Sequence, residues 1–223
     1  MDYTLTRSNR KTCAIYIRNN EVAVRAPLLM PKYLIDEFVT LKSDWINTKL
    51  AEAVLRAERK SEFSLSYGDT VHYRGKNIPI IEKQGKRIEL SENGFYIPQN
   101  LNSEQIKNAC IKIYRILAKS VLTEKAYDFA KIMDVLPSSI KINSARTRWG
   151  SCSNKKNLNF SWRLMMAEDC VIDYVVIHEL AHLKELNHSP QFWTIVEKTL
   201  PDYKEKQCKL KILQKDLREE NWD

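Results

Sequence analysis

The sequence predicts an α+β protein in which a motif-bearing helix lies beside a small antiparallel sheet, with a β-rich part preceding both. Three observations carry this expectation. Short β-branched runs broken by Asn and Gly recur through the first hundred residues. Apolar residues then return at spacings of three and four over a long stretch, which is a helical period. Finally, a nearly all-apolar segment around residue 178 carries two histidines one helical turn apart.

Taken in order, Leu5 to Ile17 and Glu21 to Arg25 carry β-branched residues around Asn19-Asn20, a pair suited to a hairpin turn. Pro31 opens a helical pattern, with Leu34, Ile35, Phe38, Leu41, Trp45, Ile46 and Leu50 on one stripe, running into the charged end RAERK. From Tyr67 to Pro98 the short runs VHYRG, NIPIIE, KRIEL and GFYIP, parted by Gly75, Gly85 and Gly94, predict a small antiparallel meander. Pro98 to Ser103 reads as a linker. Residues 1–100 are therefore expected to form a mixed β/α accessory region, and residues 101–223 the domain that carries the chemistry.

Asn102 followed by Gln105 has the form of a capping box. The long helix behind it aligns Ile106, Ala109, Cys110, Ile113, Leu117, Val121 and Leu122, and Pro137 lies beyond its end. Strands are expected around Ile140 to Ser144 and Leu158 to Leu164, with RTRWGSCSNKKN between them. Helices are expected over Val171 to Leu186, Pro190 to Leu200 and Tyr203 to Glu220.

Composition narrows the class without choosing a function. With 43% hydrophobic and 29% charged residues in 223 positions, the chain can build a packed core and is not a disordered or low-complexity sequence. The net charge of +8 permits an acidic partner such as nucleic acid, but the basic residues are spread along the chain rather than gathered in one patch. Five scattered cysteines without a C-x-x-C pair suggest neither a disulfide framework nor a cysteine zinc cluster. The run from Val171 to Leu186 is too short and too interrupted by Asp173, His178, Glu179 and His182 to span a membrane. The expected setting is soluble, reducing and cytoplasmic, with no membrane partner.

The segment Tyr174 to Trp193, YVVIHELAHLKELNHSPQFW, holds an H-E-x-x-H motif at His178, Glu179 and His182. Four residues of helix amount to a rotation of about 40°, so both imidazoles leave one face and can share a metal ion. Glu179 lies about 100° further round, where it misses the metal yet reaches a metal-activated water as a general base should. On a continued helix His188 would point roughly 240° away from His182. The chain must break between Leu186 and His188. Asn187 tolerates the left-handed conformation that closes a helix, and Ser189-Pro190 is a good cap and first residue for the next one. Three ligands leave a fourth position open, which is a catalytic rather than a structural arrangement. The histidine spacing matches metzincin-type sites, but Glu185 stands where a glycine is expected. Glu197 is the alternative third ligand.

Other residues carry weaker signals. Leu158 to Leu164 alternates in the manner of a half-buried strand able to pair with an extended peptide beside the active helix. Gly150 allows a tight turn or a close backbone approach. Trp149 fits core better than substrate platform, and Cys152 fits a small buried residue better than a nucleophile. Arg146, Arg148, Arg163 and Tyr203 all bear groups that can stabilise an oxyanion, and nothing in the sequence chooses among them. His72, on a polar strand, reads as unrelated to the motif.

R-W-G-S-C-S (Arg148 to Ser153), L-N-F-S-W-R-L (Leu158 to Leu164) and H-E-L-A-H-L-x-x-x-N-H-S-x-x-F-W (His178 to Trp193) resemble the YgjP-like metallopeptidase family. That family is related to the WLM and SprT-like zinc proteases and sometimes grouped with M48-type peptidases. Pro31 to Ile46 is similar to the family's P-x-x-x-I-x-x-F-V-x-x-K-x-x-W-I helix. The resemblance implies a zincin-like catalytic domain with Zn2+ as cofactor, His178, His182 and His188 as zinc ligands, Glu179 as the catalytic glutamate, and a peptide or protein substrate. Because the SprT-like and WLM relatives act on DNA-attached proteins, it leaves a rival expectation. In that rival the chain is a nucleic-acid-associated protein that uses the zinc site structurally or acts on DNA-bound proteins.

Overall fold

A computed structural model describes residues 1–18 and 20–222. It divides into two compact units, residues 1–63 with 218–221 and residues 64–217 with 222.

In the first unit, β1 (Thr4–Ser8), β2 (Ala14–Arg18) and β3 (Glu21–Pro27) form a sheet of order β1-β3-β2. Strand β2 pairs antiparallel with β3, while β1 joins its other edge in parallel. The expected strand from Leu5 to Ile17 is thus two strands. Of the expected turn pair, Asn19 lies outside the described residues, and Asn20 adopts a left-handed φ of 62°. Helices α1 (Lys32–Leu41) and α2 (Ser43–Glu62) follow, parted at Lys42, whose N–H bonds back to the Val39 carbonyl. Val22, Val24 and Ala26 on alternate positions of β3 meet Ile35, Val39 and Ile46 in a small core.

The second unit starts with a four-stranded sheet, made of β4 (Thr70–Tyr73), β5 (Lys76–Lys83), β6 (Glu89–Ser91) and β7 (Gly94–Pro98), in the order β4-β5-β7-β6. Arg74 and Gly75 both have positive φ, 49° and 76°, which suits a two-residue turn between β4 and β5. The central pair β5/β7 is parallel, so the sheet is mixed rather than the expected meander. A meander needs each strand to pair with its successor. Here the short strand β6 pairs outside β7, leaving the inner edge of β7 for β5.

Helix α3 (Ser103–Ile132) then runs for 30 residues. Its first turn is closed by the expected capping box, with Asn102 Oδ1 accepting from the Gln105 N–H and Gln105 Oε1 from the Asn102 N–H. One face buries Ile106, Cys110, Ile113, Tyr114, Ala118, Leu122, Ala126 and Ala130, at the three-and-four spacing of a core-facing stripe.

The linker at residues 98–103 is not the division between the compact units, which falls near residue 63. The physical reason lies in what the four-stranded sheet touches. Phe95 of β7 packs edge-on against Tyr114 of α3, and the Tyr114 hydroxyl donates to the carbonyl of His72. Gly75 is pressed against Glu168, and Arg74 makes a two-pronged pair with Asp169, at 2.7 and 2.6 Å.

A second small sheet comes next, built from β8 (Ser139–Asn143), β9 (Gly150–Cys152) and β10 (Asn157–Ser161), with β10 in the middle. Strand β10 is parallel to β8 and antiparallel to β9, so this sheet is mixed as well. The expected strand to Leu164 stops at Ser161, whose hydroxyl accepts from the Arg163 N–H and turns the chain into a 3-10 helix over Trp162–Met166. All five residues of that turn are buried. Helices α4 (Asp169–Ala181), α5 (Pro190–Thr199) and α6 (Tyr203–Asp216) complete the unit. Among the described residues, no helix is long and apolar enough to cross a membrane.

Candidate active site

Helix α4 is buried nearly all round. Val171, Ile172, Tyr174, Val175, Val176, Ile177, Leu180 and Ala181 are in the core, and Glu179 is only 6% exposed. This packing fixes the face from which His178 and His182 project.

The helix ends four or five residues earlier than its sequence pattern suggests. After Ala181 the Leu183 and Lys184 N–H groups bond to the carbonyls of Leu180 and Ala181, tightening the last turn in 3-10 fashion. Asn187 is not left-handed, so the closing residue expected from the sequence is not used. The chain loops back through Glu185–Asn187, and Ser189 begins α5 as anticipated. Its hydroxyl accepts from the Phe192 N–H, with Pro190 in the first turn.

The elbow brings His188 back to the helix. The imidazole nitrogens of His178, His182 and His188 all lie within 4.8 Å of one another. The His178 and His188 Nε2 atoms are 3.0 Å apart. Ring centroids stand 5.0, 4.9 and 4.8 Å from each other, close to an equilateral triangle. Phe192, fully buried, forms its floor, with centroids 4.9, 4.5 and 4.7 Å from the three imidazoles. Trp193 lines one side, 5.9 Å from His178 and 5.7 Å from His188, and stacks on Tyr203.

Protonation follows from this packing. Burial, helped by the other two histidines, lowers His178 to about 3, and burial also lowers His182. Neutral rings with free lone pairs are what a metal ion requires. The His182 Nδ1–H donates to the Glu185 carbonyl at 3.1 Å, so its lone pair sits on Nε2. His178 Nδ1 is buried without a hydrogen-bond partner. Tetrahedral zinc with bonds of roughly 2.0–2.1 Å spaces its nitrogens by about 3.3 Å, within the range of this cluster. The donor set fits such an ion. Glu197 does not join it, being exposed on α5 and outside the cluster.

Glu179 follows His178 on the buried helix α4. Burial pushes its carboxyl up to about 8, against the downward pull of the Arg148 guanidinium. The wall against it is Gly150. A Cβ built there would fall 2.6 Å from Glu179 Cγ, 2.6 Å from Oε1 and 2.8 Å from Cδ. The close approach anticipated for Gly150 is therefore to Glu179. Cys152, on the same strand, is a half-buried free thiol pushed up by burial and then by Glu179, which disfavours the thiolate.

Of the four oxyanion candidates, Arg163 is buried over the Trp162 ring and donates to the Ser144 and Trp222 carbonyls. Tyr203 is packed between Tyr174 and Trp193. Arg146 and Arg148 are both exposed, and Arg148 is the one whose charge reaches Glu179. His72 lies on β4, outside the cluster. Sequence reasoning missed Phe192 as the floor. Its signal was its place as the first apolar residue behind the Ser189 cap.

The strand available to an extended peptide also differs from the expected one. Strand β10 is flanked on both edges, whereas β8 and β9, among the described residues, each pair only with β10. The Ser161 N–H donates to the Trp149 carbonyl and the Ser153 N–H to the Asn157 carbonyl, marking these as hydrogen-bonded pairs of the ladder. By alternation the backbone N–H and C=O of Gly150 and Cys152 point away from β10, toward the free edge.

A mixed α+β frame that gathers three imidazoles at a helix end and its elbow, with a buried glutamate following the first of them on the helix, fits the class of metal-dependent hydrolases. A family model described as YgjP-like, metallopeptidase domain, matches residues 11–212, and the chain belongs to that family. The match runs across both compact units. Two solved structures are similar to part of the chain. The metallopeptidase zymogen abylysin of Pyrococcus abyssi is 24% identical over 40% of this chain and 90% of its own, with a TM-score of 0.37. The metallopeptidase zymogen jannalysin of Methanocaldococcus jannaschii is 22% identical over 42% and 95%, also with a TM-score of 0.37. No curated protein matches the sequence.

Proposed function

We propose that the protein is a zinc peptidase in which His178, His182 and His188 hold the ion and Glu179 is the general base. One observation carries this reading: three imidazoles from a helix and its elbow converge on one point beside a buried carboxylate. Zinc, when bound, supplies a Lewis acid that polarises the scissile carbonyl and acidifies water.

The chain's own residues do the rest. A Glu179 carboxylate oxygen takes a proton from the attacking water and returns it to the leaving amine nitrogen. The buried surroundings of α4 keep bulk water from competing for that proton. The outward N–H and C=O groups of Gly150 and Cys152 suit an extended peptide added to β9 as a further strand. Arg148, exposed and electrostatically coupled to Glu179, is the favoured oxyanion stabiliser. Catalysis belongs to the unit spanning residues 64–217, and the first unit is accessory. The five free cysteines suit a reducing, cytoplasmic setting.

The test is a pairing of metal content with activity. Purified protein should hold about one zinc per chain and cleave a denatured protein. Glu179→Gln should keep the zinc and lose at least about 100-fold in cleavage. Full activity in that variant would remove Glu179 from the mechanism.

A further inference from the structure

Gly150 is a glycine without a backbone reason. Its φ is not in the left-handed region, unlike Gly68, Gly75 and Gly85, so any residue could adopt its conformation. What stands closest to a side chain there is Glu179, since the three nearest atoms to an added Cβ are that residue's Cγ, Oε1 and Cδ. Contacts of 2.6–2.8 Å are too short for a methyl group, so a side chain at 150 and the present position of the carboxylate exclude each other.

The same residue faces the free edge. In the β9/β10 ladder Gly150 lies opposite Phe160, between the hydrogen-bonded pairs at 149 and 151, so its N–H and C=O point outward. One face of Gly150 thus supports the carboxylate, while its backbone belongs to the edge that would hold an extended peptide.

We propose that Gly150 is a positioning residue. Its missing side chain lets the Glu179 carboxylate rest on edge strand β9, so the strand that holds the substrate also sets where the base stands. This rests on the reading of Glu179 as the general base. A base and a substrate backbone referenced to one strand keep their separation when the strand moves, which is the form of alignment that a misplacement of about 1 Å can degrade by about 100-fold.

The experiment is Gly150→Ala in the zinc-loaded enzyme, with Ser151→Ala on the same strand as control. Gly150→Ala should keep one zinc per chain and a KM within about threefold of the parent, while kcat falls at least tenfold, toward the roughly 100-fold limit for such misplacement. A crystal structure of the variant should show the Glu179 carboxylate displaced. Ser151→Ala should leave kcat within about twofold. An unchanged kcat, an undisplaced carboxylate, or an effect confined to zinc loss or KM would overturn the proposal. Should Gly150→Ala fail to fold, the double variant with Glu179→Ala decides. There the methyl group meets no carboxylate, and the protein should fold and melt as Glu179→Ala does alone. Failure to fold in both backgrounds overturns the proposal. The two readings fail separately: an active Glu179→Gln removes the base while the displaced carboxylate in the Gly150→Ala structure stands.

Discussion

Burial acts on Glu179 and His178 in opposite directions. A carboxyl group withdrawn from water favours its protonated form, and an imidazole favours its neutral one. His178 is thereby ready to donate a lone pair, and Glu179, once ionised, is a stronger base than an exposed carboxylate. At this scale the third ligand is open to direct test. His188→Ala should weaken zinc binding by at least about 100-fold, whereas Glu197→Ala, altering an exposed side chain outside the cluster, should leave it within about twofold. Competition with a chromogenic chelator measures both, and the reverse pattern would reassign the ligand. The residue types and their spacing were legible in the sequence because H-E-x-x-H is a local pattern. The contact between Glu179 and Gly150 was not, since it joins a helix to a strand 29 positions away. Gly150 gave only the hint that some close approach was required.

Elements differ in how far their ends are written locally. The start of α3 was readable because Asn102 and Gln105 satisfy each other within four residues, and the start of α5 because the Ser189 hydroxyl accepts from the Phe192 N–H with Pro190 in the first turn. The end of α4 was not, because its apolar run continues past the point where the backbone tightens. Strand β10 misled in the same way. Its alternation runs on to Leu164, but Ser161 turns the chain and Trp162–Met166 enter the core as a 3-10 helix. Caps also separate structure from function. Asn102→Ala and Ser189→Ala should each lower unfolding free energy by about 1 kcal/mol in denaturant titrations of the metal-free protein. Only Ser189→Ala should also weaken zinc retention, because α5 carries Phe192, the floor beneath the three imidazoles, directly behind the cap. Equal zinc affinity in both variants would show that the elbow holds its geometry without the cap.

On the scale of the whole molecule, a zinc ion held as proposed would tie the end of α4 to the elbow that carries His188. An ion that binds only the folded state, present at about 1,000 times its dissociation constant, stabilises by about 4 kcal/mol. For a protein of this size that corresponds to roughly 8–16 °C in Tm. Chelation should therefore lower the melting temperature by that order, and zinc should restore it. His182→Ala should melt at one temperature with or without zinc. A parent protein whose melting ignores chelator would contradict a metal bound at this site.

The sequence by itself determined the α+β class, most of the helices, the three histidines with their glutamate, and the need for a break before His188. These are consequences of period, capping and spacing, which act over a few residues. Tertiary structure decided the rest. The parallel pairings of β1 with β3, β5 with β7 and β8 with β10 join strands whose partners are separated by intervening chain, and no local pattern records such a choice. The division between units near residue 63, the free edges of β8 and β9 rather than β10, and the approach of Gly150 to Glu179 are likewise matters of long-range contact. The proposed chemistry was legible because the three histidines and Glu179 come from one short segment. The contact of Glu179 with Gly150 was not, because that strand arrives from elsewhere in the chain.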